Sequence, residues 1–417
     1  MPRTLTVPQL ADELAGGGLT YIPGSAGEPT PLLDLWAADP GLTRGARILT
    51  SLVPGINGMA MDALDPSATV TGLFMQPAWQ AAQAAGRFRH LPLSYSGFVR
   101  HVREQVAADA CVVHVSPPDR AGRCSLGPAV EFTSLMQARS RRTLALVNPL
   151  LPAMPGAPSL DYARFDGVAE VEFAPRGYQV GAPTRTATAI AGHIAGFIGD
   201  GCTLQVGLGK VPDALMALLH DRRGLRLHSG MLADSALDLW DAGALDPDAE
   251  HASCVWVGSA ELYRRLQGRV GPVVAGCEVT HDACRLAALP RLHAVNSALS
   301  VDLFGQANLE VADGRAVSGL GGAGDFARGA RQSQGGLSIV ALPSTHAGRA
   351  RSRIMPRLDE GIASLPRGDV DVVVTEHGAA DLRGLCVHGR AEALAAVADP
   401  AFQPALADAW REVRARL

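Results

Sequence analysis

The chain has 417 residues, which is too long for one ordinary hydrophobic core and suits two domains. Hydrophobic residues make up 47% and charged residues 19%, a balance that excludes an intrinsically disordered protein. The 37 basic and 41 acidic residues leave a formal net charge of -4, which predicts binding neither to nucleic acid nor to a membrane surface.

Location and cofactors follow from the apolar runs, the cysteines and the histidines. No apolar run has membrane-spanning length and the first residues lack a signal-peptide layout, so we expect a cytoplasmic protein. The seven cysteines contain no CxxC pair and are predicted to be buried, reduced thiols. The twelve histidines form no HxxxH or HExxH motif, so we predict no metal and no permanently bound cofactor.

The first half of the chain alternates between helical and strand-like patterns. A short amphipathic helix is predicted over Leu5–Leu14 and another helix over Ala129–Ser140. Apolar runs of strand length recur between helical stretches, at 18–23, 46–52, 68–74, 110–115 and 143–148. This alternation predicts an α/β domain built on a largely parallel sheet.

A proline-rich turn, Ser116–Asp119, follows the strand at 110–115. It is either a plain surface turn or a place where polar groups meet a ligand at the carboxyl edge of the sheet. Residues 175–185 (PRGYQVGAPTR) are typical of a linker. We therefore predict domains over 1–180 and 186–417.

The second half begins with a strand, a glycine loop and a helix over residues 203–219. Such a loop lets backbone N–H groups and a helix N-terminus face a phosphate. A dinucleotide site would carry G-x-G-x-x-G, but Pro212 stands at the third glycine, so NAD binding is not predicted.

Further along, Ala294–Leu303 alternates as a buried strand does, and the glycine-rich segment 318–330 follows it. That segment is either a flexible linker or a place where backbone approaches a bulky ligand. Three arginines, Arg349, Arg351 and Arg353, either meet a phosphate or form a solvated strand face. A final apolar strand over 370–375 ends at Glu376, His377 and Gly378.

Four stretches of the sequence are informative together: LQVGLGKVPDAL (204–215), NSALSVD (296–302), SGLGGAGDFARGA (318–330) and VVTEHGAADLRG (373–384). They resemble motifs of the acetyl-CoA hydrolase/transferase family, the class I-type CoA-transferases that include 4-hydroxybutyrate and acetate CoA-transferases. The resemblance implies two open, largely parallel-sheet α/β domains of the CoA-transferase type, with most of the active site in the C-terminal domain. It also implies a homodimer whose substrates are an acyl-CoA and a carboxylate acceptor. The residues that it implies for binding of the substrate and CoA are Gln205, Gly207, Gly209, Gly321, Gly322, Asp325 and Gly378.

The same resemblance implies catalytic roles, but this sequence differs from the family motifs at two positions. Ser300 stands where the family motif N-S-A-(I/L)-E-(V/I)-D has its glutamate, and Gly230 stands where a strand-end motif often has another. In the family a glutamate attacks the acyl-CoA and forms an anhydride and then a glutamyl-CoA thioester, which a serine cannot replace. The resemblance implies that the Gly378 N–H stabilises the oxyanion, and Glu376 and Glu310 are the nearest alternative carboxylates.

Three functions are compatible with these motifs. The protein is a CoA-ester enzyme that transfers CoA or hydrolyses the thioester, with Glu376 or His377 as a possible base in hydrolysis. Alternatively, it is a non-catalytic homologue or partner subunit that binds CoA or acyl-CoA. In the third case only the fold is shared and the ligand belongs to another class.

Overall fold

The structure is a computed structural model that describes residues 1–346, 348, 351–358 and 361–416. Residues 1–179 contain ten strands, β1 Arg3–Thr4, β2 Leu19–Ile22, β3 Arg47–Thr50, β4 Thr69–Gly72, β5 Phe88–His90, β6 Ala108–Val115, β7 Arg123–Ser125, β8 Ser140–Val147, β9 Ser159–Asp161 and β10 Gly167–Glu170. Their α-helices are α1 Val7–Leu14, α2 Thr30–Ala38, α3 Gln80–Ala84, α4 Tyr95–Gln105 and α5 Thr133–Ala138.

The later strands are β11 Thr203–Gln205, β12 Arg226–Leu232, β13 His251–Trp256, β14 Pro272–Val274, β15 Leu292–Ser297, β16 Ser300–Asp302, β17 Ala307–Asn308, β18 Val311–Ala312, β19 Arg315–Ala316, β20 Leu337–Ala341, β21 Ile354–Met355, β22 Val372–Thr375 and β23 Gly378–Asp381. The later helices are α6 Arg185–Ala195, α7 Lys210–Leu218, α8 Asp234–Asp241, α9 Ala260–Leu266, α10 Cys277–Thr280, α11 Ala283–Ala288, α12 Ala323–Gln332, α13 Val387–Ala396 and α14 Gln403–Arg414.

The chain divides into two compact units. The first contains Met1–Gln179, Gly230–Asp234 and Glu250–Thr280, and the second contains Val180–Ser229, Ser235–Ala249 and His281–Leu417. The predicted domains have a single boundary near residue 180, whereas here two later segments of chain belong to the first unit.

The first unit contains an eight-stranded sheet with the order β1-β10-β8-β6-β2-β3-β4-β5, and every neighbouring pair is parallel. Strand β2 lies between β3 and β6, so the strand order reverses beside it. The loops that follow these strands therefore leave a crevice at the carboxyl edge, which is where open α/β sheets usually bind ligands.

The second unit contains the parallel series β11-β15-β20-β22, to which β23 adds an antiparallel edge strand. On the other side, β11 pairs in parallel with β12, whose first four residues belong to the second unit. A small sheet with the order β17-β16-β21 forms beside it. The prediction of α/β architecture with largely parallel sheets is confirmed. Among the described residues, no helix is both long enough and apolar enough to cross a membrane.

The predicted strand over Ala294–Leu303 is in fact two strands in different sheets. Strand β15 ends at Ser297 in the main parallel sheet, and β16 begins at Ser300 in the small sheet. The break occurs because the Leu299 N–H donates to the Asn308 carbonyl, at 2.8 Å, instead of continuing along the main sheet. Uninterrupted apolar alternation conceals such a change of partner strand.

Two further predictions need correction. The helix predicted over Ala129–Ser140 is confined to Thr133–Ala138, because Glu131 has a φ of 42°, outside the helical region. Five cysteines are buried as predicted, but Cys284 and Cys386 are exposed.

Glu131 is buried at the carboxyl edge of the first unit's sheet, where it accepts hydrogen bonds from two serine hydroxyls that follow neighbouring strands. Ser25, after β2, and Ser51, after β3, each donate a hydrogen bond to its carboxylate, and the Ser51 contact is 2.6 Å. Glu131 is only 1% exposed, and burial raises its pKa to about 7 despite these hydrogen bonds. Ser25 and Glu131 both have positive φ values, 49° and 42°, a strain of about 1–3 kcal/mol each.

We predict that Glu131→Gln removes a pH-dependent loss of stability. Below its ordinary pKa of 4.5 the carboxyl is protonated in both states, and the loss grows as the pH rises through the folded pKa of about 7. At about 1.4 kcal/mol per pKa unit, the full loss is on the order of 3 kcal/mol. Urea unfolding at pH 5 and pH 8 should therefore show a stability difference between wild type and variant that changes with pH.

Glu104→Gln is the matched control, because Glu104 is an exposed carboxylate paired with Arg100 on α4. An equal pH dependence of stability in wild type and Glu131→Gln would contradict the assignment of a neutral carboxyl at position 131.

Candidate functional site

The small sheet β17-β16-β21 positions the predicted site residue Ser300. Strand β16 pairs in parallel with β21, Val301 opposite Ile354, and antiparallel with β17, Val301 opposite Ala307. These three side chains are fully buried in one hydrophobic cluster. Because side chains alternate along a strand, their neighbours Ser300 and Arg353 project from the opposite face.

A cavity of about 320 Å³ lies against that opposite face. Among its lining residues are three arginines and one acidic residue, together with several apolar side chains. The described lining residues are Leu299, Ser300, Asn308, Val311, Ala312, Asp313, Gly314, His346, Arg351, Arg353, Met355, Arg357, Leu358 and Gly361.

Ser300 is buried and its hydroxyl oxygen accepts a hydrogen bond of 3.1 Å from Asn308 Nδ2. The Asn308 amide orientation is fixed, because its Oδ1 accepts from the Glu310 and Val311 N–H groups while its Nδ2 also donates to the Val311 carbonyl. The Ser300 hydroxyl is therefore an acceptor toward Asn308, and its own proton remains available for donation.

Two of the three predicted arginines line this cavity, and Arg349 lies outside the described residues. Arg351 pairs with Asp313 at 2.5 Å on the exposed rim. Arg353 Nε is buried without a hydrogen-bond partner in the part of the chain that the structure describes. Burial lowers the Arg353 pKa, and the nearby Glu376 carboxylate opposes that effect.

Sequence reasoning missed His346, Met355 and Arg357. Burial lowers the His346 pKa most, and the positive charges of Arg353 and Arg351 lower it further. Arg357 lies 5.8 Å from the centre of the Phe304 ring. The available signal was the two-residue spacing of Arg351, Arg353, Met355 and Arg357, which is typical of one face of an extended segment.

Glu376 lies at the tip of a tight hairpin between β22 and β23. Its carboxylate accepts hydrogen bonds of 2.9 Å from the Ser344 N–H and from the Ser344 hydroxyl. His377 Nε2 is 3.9 Å from a Glu376 oxygen and 3.9 Å from an Asp399 oxygen. The Glu376 side chain is 19% exposed, so an external reactant can reach it.

Gly378 begins β23 and pairs with Thr375 across the hairpin. Its φ of 149° is one that side-chain-bearing residues rarely adopt. The residues that flank a two-residue loop commonly close it with a cross-strand hydrogen bond. This pairing places Gly378 at the closure of the hairpin, and the oxyanion role of its N–H stays a prediction.

Glu310, the other alternative carboxylate, is 5% exposed and accepts a hydrogen bond of 2.6 Å from the Ser364 hydroxyl. Gly230 lies in β12, in the first unit, where its carbonyl accepts from Cys254 Sγ at 3.0 Å. A glycine supplies no carboxylate at that strand end.

The glycine loop after β11 contains three predicted binding residues. Gln205 is buried, and its Oε1 accepts from Asn296 Nδ2 at 3.3 Å. Gly207 follows the strand, and Gly209 caps the N-terminus of α7 with a φ of 127°. This φ requires glycine, and it turns the chain from the strand into the helix.

The glycine-rich segment before α12 contains the other predicted binding residues. Gly321 has a φ of 56° in the turn, and a Cβ at Gly322 would lie 2.3 Å from His281 Nε2. Glycine at 322 is therefore required by packing within the second unit. Asp325 is buried in the first turn of α12, and Arg328 pairs with Asp369 at 3.0 Å.

The structure thus brings Ser300 together with Arg351 and Arg353. The described lining of their cavity does not include the other predicted site residues, which are Gln205, Gly207, Gly209, Gly321, Gly322, Asp325, Glu376 and Gly378. Their roles stay predictions.

The sequence profile of the acetyl-CoA hydrolase/transferase C-terminal domain matches residues 258–410. The chain is 29% identical to 4-hydroxybutyrate coenzyme A transferase of Clostridium kluyveri over 419 residues, 98% of this chain and 97% of that protein. It is 30% identical to butyryl-CoA:acetate CoA-transferase of Anaerostipes caccae, over 78% of this chain and 76% of that protein.

The crystal structure of RipA from Yersinia pestis superposes with a TM-score of 0.90 at 26% identity, covering 99% of this chain and 98% of that one. Sequence and structure therefore agree across nearly the whole length. The chain belongs to the acetyl-CoA hydrolase/transferase family, as its four motifs predicted.

Proposed function

We propose that this protein acts on acyl-CoA thioesters, either transferring CoA between carboxylic acids or hydrolysing the thioester. The observation that carries the proposal is the near-complete alignment with a relative named as a CoA-transferase, together with the acetyl-CoA hydrolase/transferase domain at 258–410. Coenzyme A would enter as part of the substrate, and a free carboxylic acid would be the acceptor in transfer.

Glu376 is the carboxylate that we propose for the chemistry in place of a glutamate at position 300. The Ser344 N–H and hydroxyl both donate to its carboxylate and orient it. In transfer its oxygen would attack the thioester carbonyl and expel the CoA thiolate, giving an acyl-glutamyl anhydride. The CoA thiolate would then attack the glutamyl carbonyl, release the first carboxylate and leave a glutamyl-CoA thioester. An incoming carboxylate reverses these two steps.

Hydrolysis would use the same group differently. Glu376 or His377 would accept a proton from a water molecule as that water attacks the thioester carbonyl. In either reaction the oxyanion needs preorganised donors, and the Gly378 N–H remains our proposal for one of them. Ser300, in its own cavity, is proposed to contact substrate through its hydroxyl and not to form the acyl intermediate.

We further propose that the protein is cytoplasmic and homodimeric. The location is supported by the seven free cysteines, because reduced thiols are typical of intracellular proteins. Support for the dimer is the family resemblance. Sedimentation velocity of the purified protein would distinguish a dimer from a monomer.

We predict that at least one member of a panel of acetyl-, butyryl-, 4-hydroxybutyryl- and succinyl-CoA is turned over. Each reaction is run with and without acetate, free CoA thiol is measured, and new acyl-CoA products are followed by mass. Formation of acetyl-CoA from another acyl-CoA in the presence of acetate, without net thiol release, would identify a transferase, and thiol release without acetate would identify a hydrolase. Neither product from any member, with CoA raising the melting temperature, would instead identify a non-catalytic CoA-binding homologue.

We predict that Glu376→Gln lowers the rate of acyl-CoA turnover, by transfer or by hydrolysis, at least about 100-fold while leaving the fold intact, because the amide is neither a nucleophile nor a base. Glu310→Gln is the matched control, since Glu310 is buried against Ser364. Its melting temperature should fall while its turnover per folded molecule stays close to that of wild type. A large loss of turnover in Glu310→Gln, with turnover retained in Glu376→Gln, would instead assign the catalytic role to Glu310.

A further inference from the structure

The described residues that line the cavity beside Ser300 carry more positive than negative charge. Its described lining includes Arg351, Arg353 and Arg357 but a single acidic residue, Asp313, which already pairs with Arg351. Within this lining, Arg353 Nε is buried without a hydrogen-bond partner among the described residues. A buried donor on a charged group is costly to leave unsatisfied, so this position favours an anionic acceptor.

The Ser300 hydroxyl supplies a second donor on the same sheet face. Its oxygen is occupied by Asn308 Nδ2, and no described residue accepts its proton. Ser300 and Arg353 precede the paired residues Val301 and Ile354 on parallel strands, so the two side chains are neighbours on that face. A hydroxyl and a guanidinium side by side match the two oxygens of a carboxylate.

The rest of the lining indicates what the anion is attached to. Leu299, Val311, Met355 and Leu358 contribute apolar surface around the charged end. A cavity of about 320 Å³ accommodates a small organic molecule, and its apolar lining suits a hydrocarbon chain better than the hydrated phosphates of a nucleotide.

We propose that the Ser300 cavity binds a small aliphatic carboxylate, with its oxygens on Arg353 and the Ser300 hydroxyl and its hydrocarbon against the apolar lining. This inference rests on the proposed function, within which the occupant is the free acid acceptor or the carboxylate end of a dicarboxylic acyl group. Ser300 and Arg353 are then specificity-determining residues, and the small serine at 300 leaves the volume that the ligand occupies.

Binding is measured with the full-length protein by isothermal titration, without turnover. Sodium butyrate is the probe, and acetate, succinate, n-butanol and inorganic phosphate are compared at matched ionic strength. We expect butyrate to bind several-fold more tightly than acetate, because each buried methylene contributes. We expect butanol and phosphate to bind at least about tenfold more weakly than butyrate. Equal binding of butanol, or preferential binding of phosphate, would overturn the proposal.

Arg353→Met should weaken butyrate binding at least about tenfold, because it keeps much of the side-chain length and removes the charge. Arg353→Lys keeps the charge, so its butyrate affinity should lie between those of Arg353→Met and wild type. This variant tests the site even where the methionine variant folds poorly. Arg47→Met, at an exposed arginine in the first unit, is the matched control. Unchanged butyrate affinity in both Arg353 variants would overturn the proposal.

The same variants separate this inference from the proposed function. If wild type turns over an acyl-CoA and Arg353→Met keeps the wild-type KM for both the carboxylate acceptor and succinyl-CoA, the cavity assignment is wrong and the CoA-ester activity remains. If no acyl-CoA is turned over but butyrate still binds and Arg353→Met weakens that binding, the proposed CoA-ester activity is wrong and the assignment of the carboxylate site remains. Succinyl-CoA with a raised KM in Arg353→Met, beside an unchanged KM for acetate, would assign the cavity to the acyl group.

Discussion

Two backbone hydrogen bonds, from Val301 N to the Arg353 carbonyl and from Leu303 N to the Met355 carbonyl, hold β16 and β21 in register at 2.9 and 3.1 Å. This register sends Val301 and Ile354 into the hydrophobic cluster and leaves the alternate residues on the cavity side. A slip by one residue would exchange the two faces, placing a guanidinium in the core. The burial of apolar side chains on one face thus fixes the chemistry of the other.

The residue at position 300 determines whether the guanidinium of Arg353 has a neighbouring side chain that can accept its hydrogen bond. The resemblance to the family implies a glutamate there, and on this sheet face a glutamate would lie beside the guanidinium of Arg353. Serine at this position leaves a hydroxyl and open volume, so the buried Nε has no internal acceptor among the described residues. A serine in place of the glutamate that the resemblance implies would therefore change the binding properties of this site.

Much of the architecture could be predicted from the sequence, because strand-length apolar runs such as Ala110–Val115 and Val370–Thr375 are buried on both sides of parallel sheets. The candidate site was harder to predict from the sequence. Ser300 and Arg353 are separated by 52 intervening residues, and only the pairing of β16 with β21 makes them neighbours. Glycines carried an ambiguous signal as well, since Gly322 is required by packing against His281, although its motif alone suggested contact with a ligand.

The parallel pairing of β16 and β21 also has a kinetic consequence. Between these strands the chain forms α12 and β20, which are placed in the main sheet and its layer of helices. Closing so long a segment carries an entropic cost before the few hydrogen bonds of a two-residue strand compensate for it. We infer that the small sheet assembles on a core that has already formed, so the cavity is among the last features of the second unit to fold and among the first to open locally.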